Sequence, residues 1–101
     1  MKQRPTYELR LIQAMVKAQG LSAFTSQALC TGQDELGMTS TEMIDLVMSR
    51  NDTTCYKTMP STIYPGQMQD VYHWPTPTGK MAYVKFSLGP RGKVVVSFKE
   101  K

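Results

Sequence analysis

The side chains of this sequence that could do chemistry are cationic and phenolic. Lys57, Lys85 and Lys99, together with Gln69, Tyr56 and Tyr83, are spread through the second half of the chain, and the single histidine, His73, falls among them. Ammonium groups offer countercharge to phosphate and tyrosine rings offer bases a stacking platform, so interleaving the two is the compositional footprint of an RNA or single-strand binder. The residues alone leave a second explanation open: aromatics favour strands in any case, and lysines solvate outward faces. His73 is the one side chain that titrates near neutrality with an ordinary pKa, which on chemistry alone makes it the first acid or base to nominate.

Other chemistries lack their residues. The sequence contains no phosphate-cradling Walker loop, no dinucleotide fingerprint and no nucleophile elbow, and no carboxylate pair joins the cluster. Cys30 and Cys55 have no metal-ligand spacing and one histidine to join them, so no metal site or cofactor is predicted. One disulfide is compatible with the count. With no apolar signal segment at the start, the simplest expectation is a cytoplasmic chain whose two thiols stay reduced and pack as small hydrophobes. No apolar run approaches the roughly 18 residues that span a bilayer, so no membrane is expected.

The chain has 101 residues, 41% of them apolar, and a formal charge of +4. That length predicts one domain over residues 1–101 and excludes a multidomain enzyme. The charge is unevenly placed. Residues 1–52 hold five basic against six acidic groups, a sum of −1, and residues 53–101 hold seven against two, a sum of +5. Seven of the nine aromatic residues lie in the same basic half. The polyanion-seeking character therefore belongs to the second half.

Local patterns show how that half is held. A helix is predicted over Pro5–Gln19, capped by Thr6, with Leu9, Ile12 and Val16 on one face and Gly20 as its stop. Leu21–Phe24 reads as a connector or small strand, and Ser26–Cys30 as the start of a short second helix. Thr39 and Glu42 stand at capping-box spacing before a third helix whose apolar stripe is Met43, Ile44, Val47 and Met48. From Thr54 the period changes from 3.6 to 2. Strands are predicted at Cys55–Met59, Gln67–Trp74, Lys80–Leu88 and Lys93–Lys99, the last two joined through Gly89-Pro90-Arg91-Gly92. Helices followed by a meander of antiparallel strands is an α+β arrangement: N-terminal helices packed on one face of a C-terminal antiparallel β-sheet.

The other sheet face is then free, and alternation assigns its side chains. If Val94, Val96 and Phe98 meet the helices, Lys99 faces outward, and Tyr83 and Lys85 do the same one strand earlier. In the first two strands the phase is open; one choice aligns Lys57 with Cys55 and Met59, and Gln69 with Val71 and His73. That choice gathers Lys57, Gln69, Tyr83, Lys85 and Lys99 on one surface, with Asp70 on the opposite face as a hydrogen-bonding or helix-contacting residue.

These residues also carry a resemblance. Asp34-Glu35-Leu36-Gly37, Tyr56-Lys57-Thr58-Met59, Gln69-Asp70-Val71-Tyr72, Tyr83-Val84-Lys85 and the terminal Val96-Ser97-Phe98-Lys99-Glu100-Lys101 occur here in one order. In that order and spacing the chain resembles the motility quorum-sensing regulator (MqsR) toxins, a branch of the RelE-like bacterial toxins, over essentially its whole length. The resemblance implies a RelE-like fold and the toxin of a type II toxin–antitoxin pair. It implies an endoribonuclease that cuts messenger RNA without the ribosome, preferring GC-containing sites such as GCU. It also implies a cognate antitoxin that binds zinc and DNA, so that operator DNA is reached only indirectly, through the antitoxin complex.

Carried over residue by residue, the family's catalytic lysine, glutamine and tyrosine fall on Lys57, Gln69 and Tyr83, and its C-terminal lysine on Lys99. Tyr56, His73 and Lys85 are expected to bind RNA. The family more often has an arginine where His73 stands, which favours phosphate contact over proton transfer for this residue. A noncatalytic RNA-binding module or a protein-interaction module would present the same basic, aromatic half. Dependence of RNA cleavage on Lys57 separates these readings.

Overall fold

The computed structural model describes residues 4–51, 55–61, 64–89 and 92–101. Helix α1 spans Leu9–Gln19, a 3-10 turn Gly20–Ala23, α2 Ser26–Asp34 and α3 Ser40–Ser49; strands β1 (Lys57–Pro60), β2 (Met68–Pro75), β3 (Met81–Leu88) and β4 (Val94–Glu100) follow. Three N-terminal helices thus pack against a four-stranded antiparallel sheet of order β1-β2-β3-β4, the α+β arrangement predicted.

Helix α1 begins at Leu9, not near Pro5, and Thr6 is not its cap. The reason is Asp70: its two carboxylate oxygens accept from Thr6 N–H and Tyr7 N–H, both at 2.8 Å, which holds residues 6 and 7 out of the helix. The Tyr7 hydroxyl adds a bond to the Met68 carbonyl at 2.7 Å. Charge-assisted bonds of this kind are the stronger class, and here they fasten the start of the first helix to β2. Leu9, Ile12 and Val16 are buried, as their spacing requires, and Gly20 ends the helix at φ 62°.

Thr25 caps α2 by accepting from Ala28 N–H, and α3 has the full capping box: Thr39 Oγ accepts from Glu42 N–H and Glu42 Oε1 from Thr39 N–H. Its buried stripe is Met43, Leu46 and Val47, with Ile44 partly buried and Met48 turned to solvent. Between α1 and α2, Phe24 bridges β4 in parallel at Val96, and Thr25 N–H donates to the Val96 carbonyl at 3.2 Å. The Leu21–Phe24 segment is therefore helical first, and covers the β4 edge at its end.

The core lies between the helices and one sheet face. Tyr72 and Trp74 of β2, Ala82, Val84 and Phe86 of β3, and Val94, Val96 and Phe98 of β4 all turn toward it. Tyr72, Trp74 and Phe86 pack ring against ring, with centroids 4.7–5.8 Å apart. The strand pair β3 and β4 keeps the predicted alternation, with Gly89 N–H donating to the Lys93 carbonyl at 2.7 Å. The turn residues Pro90 and Arg91, and Thr54 before the first strand, lie outside the described residues. Among the described residues no helix is long and apolar enough to cross a membrane.

One expectation fails at the first strand. Cys55 does not share a face with Lys57 and Met59; it belongs to the core, and the regular strand starts at Lys57. Tyr56 N–H donates to the Val71 carbonyl at 2.8 Å while Lys57 is Val71's register partner, so two residues stand opposite one. That is a β-bulge, and the extra residue reverses the phase on its N-terminal side. Cys30 also departs from expectation, being exposed on α2 rather than packed, and both cysteines are free.

Candidate nucleic-acid interface

The cross-strand register places the predicted residues in adjoining rows on the face away from the core. In the first row His73 of β2 is opposite Tyr83 of β3, which is opposite Lys99 of β4. In the second, Lys57, Val71, Lys85 and Ser97 stand side by side across all four strands. In the third come Met59, Gln69, Ser87 and Val95. All five residues assigned to the free face by alternation are there together.

The bulge adds Tyr56 to the first row. Its ring stacks on His73 with centroids 4.0 Å apart and 25° between planes, and His73 in turn meets Tyr83 at 5.2 Å. The result is a ridge of three rings, Tyr56–His73–Tyr83, with lysines along it. Lys57 Nζ lies 5.7 Å from the Tyr56 ring centroid and Lys85 Nζ 5.5 Å from that of Tyr83. Each ammonium is held over a tyrosine face, a contact worth roughly 0.5–1 kcal/mol at exposed sites, which orders two otherwise mobile side chains. Lys57 and Lys99 occupy the two outer strands, which lie three strand spacings or about 14 Å apart, in adjoining rows, and so flank whatever lies over the central strands.

His73 is flanked by tyrosines on both sides, so it presents an edge rather than a stacking surface. Burial lowers its pKa from the ordinary 6.5, and the charges of Lys101 and Lys57 lower it further. At neutral pH the imidazole is therefore uncharged, able to accept or donate a hydrogen bond but not to supply countercharge as an arginine does. Its Nε2 is buried without a hydrogen-bond partner among the described residues. Gln69 shares this face but is only 1% exposed, so its side chain works from beneath the surface. Ser87 Oγ donates to Gln69 Oε1 at 3.4 Å, and Gln69 Nε2 has no partner among the described residues. Asp70, as expected, lies on the helix side.

A groove of about 370 Å³ continues the surface past β4. Tyr83, Lys85 and Lys99 line its sheet side, and Gln27, Thr31 and Glu35 of α2 and its C-terminal boundary form the opposite wall. Sequence reasoning missed this wall, although three polar residues at four-residue spacing on one helix face were the available signal. Among the described residues no group of three or more histidine, cysteine, aspartate or glutamate side chains could hold a metal ion.

Comparison with protein families gives one match of nearly full length. The family model described as motility quorum-sensing regulator, toxin of MqsA, covers residues 4–100. No curated protein matches the chain.

Proposed function

This chain belongs to the MqsR toxin family, the toxin half of a toxin–antitoxin pair, and from that premise we propose that it is an endoribonuclease cleaving messenger RNA, independently of the ribosome, at GC-containing sites. The observation that carries the proposal is the open sheet face, where Lys57, His73, Tyr83, Lys85 and Lys99 stand in cross-strand register. In the proposed reaction the ribose 2′-oxygen attacks phosphorus, the bond to the 5′-oxygen breaks, and the proton lost from the 2′-hydroxyl is matched by one gained at the leaving oxygen. The products are a 2′,3′-cyclic phosphate and a 5′-hydroxyl, and the residues named need no metal.

Each residue has a distinct part. Lys57 and Lys99 flank the scissile phosphate and balance the charge that builds up on it, work in which a preorganised donor contributes roughly 2.7–4 kcal/mol. Tyr83 donates a hydrogen bond or stacks a base between them. Tyr56, His73 and Lys85 hold the neighbouring nucleotides. Gln69, buried with its amide nitrogen unpartnered among the described residues, is a positioning residue in the row next to Lys57 and Lys85. The partner is the cognate antitoxin, a zinc- and DNA-binding protein that carries the pair to its operator, and the site of action is the cytoplasm.

Purified wild type incubated with a GCU-containing transcript in EDTA, with the ends mapped by primer extension, tests the reaction. Site-specific cuts bearing cyclic phosphates are expected, and Lys57→Ala is expected to slow them about 10²- to 10³-fold. Intact RNA with folded wild type defeats the proposal and leaves a noncatalytic RNA-binding module.

A further inference from the structure

We propose that the groove between α2 and β4 is a nucleobase subsite that takes a guanine adjacent to the scissile phosphate, with the Glu35 carboxylate reading the base's Watson–Crick edge. The assignment rests on the reading of the open sheet face as an RNA-cleavage surface, since the groove opens directly onto Tyr83, Lys85 and Lys99. Its volume of about 370 Å³ falls at the small end of ligand pockets, about 300–1,000 Å³, a size for one nucleotide rather than a folded partner.

The two walls differ in charge, and the difference identifies the ligand. Lys85 and Lys99 on the sheet side attract phosphate. Glu35 on the other wall repels it, so the part of the ligand that reaches α2 is neutral and donates hydrogen bonds. The Glu35 carboxylate forms no hydrogen bond or ion pair among the described residues; Lys80 Nζ goes instead to the Glu35 backbone carbonyl at 2.6 Å and to Glu100 at 3.6 Å. A free carboxylate offers two adjacent acceptors. Guanine is the base that answers with two adjacent donors, N1–H and N2–H2. Adenine and cytosine present one amino group each, and the N3–H of uracil is flanked by carbonyl oxygens that a carboxylate repels. RNA bases are read on these edges when single-stranded.

The reading wall is also fixed in place. Glu35 N–H donates to the Thr31 carbonyl at 2.9 Å, and Thr78 Oγ donates to the Leu36 carbonyl at 2.6 Å, so the β2–β3 turn clamps the C-terminal end of α2. Lys101 N–H donates to the Met81 carbonyl at 3.0 Å, tying the same hairpin to the end of β4. Both sides of the groove therefore hang on one hairpin and keep their spacing, which is what discrimination between bases requires.

A 2′-O-methyl RNA strand cannot be cut through its 2′-oxygen, so its binding tests the subsite apart from cleavage. Fluorescence anisotropy at fixed salt would compare an oligoadenylate strand holding one guanosine with the same strand holding inosine, which lacks the N2 amine. Wild type is expected to bind the guanosine strand about 10- to 150-fold more tightly, the range for losing one hydrogen bond to a charged group, and Glu35→Gln to bind the two alike. Equal affinities in wild type, or a preference that survives Glu35→Gln, overturn the subsite. So does a Glu35→Gln protein that keeps the preference but no longer captures the antitoxin, which makes the groove a protein-docking site. Wild type that prefers guanosine yet cuts no RNA defeats the nuclease reading and leaves the subsite standing.

Discussion

At neutral pH the imidazole of His73 is uncharged, because burial and the charges of Lys101 and Lys57 all oppose its protonation. Tyr56, just before β1, and Lys57 of β1 face it on one side, Tyr83 and the neighbouring Lys85 from β3, and Lys99 and Lys101 from the β4 side. No carboxylate is among these groups to offset the lysines. The sign of the consequence follows from linkage. A histidine whose folded pKa lies below its unfolded 6.5 gives stability that is complete above 6.5 and is lost as pH falls toward the folded value, since the unfolded chain binds the proton more readily. The wild-type urea midpoint is therefore expected to fall between pH 7 and pH 5 more steeply than that of His73→Gln. Parallel curves would mean that His73 titrates as a solvated histidine. The sequence disclosed that His73 and Gln69 share a face, because alternation within one strand depends only on residue spacing, and it offered Lys57 beside them as one of two phases. It did not disclose that Gln69 is covered or that His73 is stacked, because those follow from neighbours on other strands.

Elements whose signals are local were legible, and those set by distant residues were not. The capping box at Thr39 and Glu42 is contained within four residues, and α3 starts where it says. The start of α1 is decided by Asp70, more than sixty residues away, and the phase of Cys55 by a bulge that no local composition marks. The contact between α2 and α3 is a third nonlocal case. A Cβ added at Gly32 would lie 2.6 Å from Met43 Cε and closer still to its Sδ, and Met43 is fully buried. In an open helix Gly→Ala stabilises by roughly 0.8–1 kcal/mol through backbone entropy. Here the added methyl overpacks the core, at a cost of about 1–3 kcal/mol, so Gly32→Ala is expected to lower the urea midpoint with the slope unchanged. Adding Met43→Ala to it should then cost less than Met43→Ala costs the wild type, a coupling that a double-mutant cycle reads directly. A stabilised single variant would show that Met43 swings aside freely. Because α2 is one wall of the groove, this contact also sets where Glu35 stands.

The charge of the whole molecule is divided as its architecture is: −1 over the first 52 residues and +5 over the remaining 49. The sheet half carries the excess, and part of it, Lys57, Lys85 and Lys99, is turned away from the helices onto one face. A net charge of +4 is small enough for solubility alone to account for it, so the placement of charge matters more than its sum. Placement has a thermodynamic signature. A cation that neutralises a phosphate of a single strand releases about 0.7 counterion, and each such contact adds that amount to the slope of log affinity against log salt. Lys85→Ala is therefore expected to weaken binding of an uncuttable 2′-O-methyl strand and to flatten the salt slope by about 0.7. Lys17→Ala removes the same charge from an exposed position on α1 in the helical half, and is expected to leave the slope as it was. Titrations at three salt concentrations distinguish the two outcomes. If both variants flatten the slope equally, the protein attracts RNA through its total charge and the open face has no privileged role; if Lys85→Ala alone does so, the strand is held where the rings, the lysines and the groove meet.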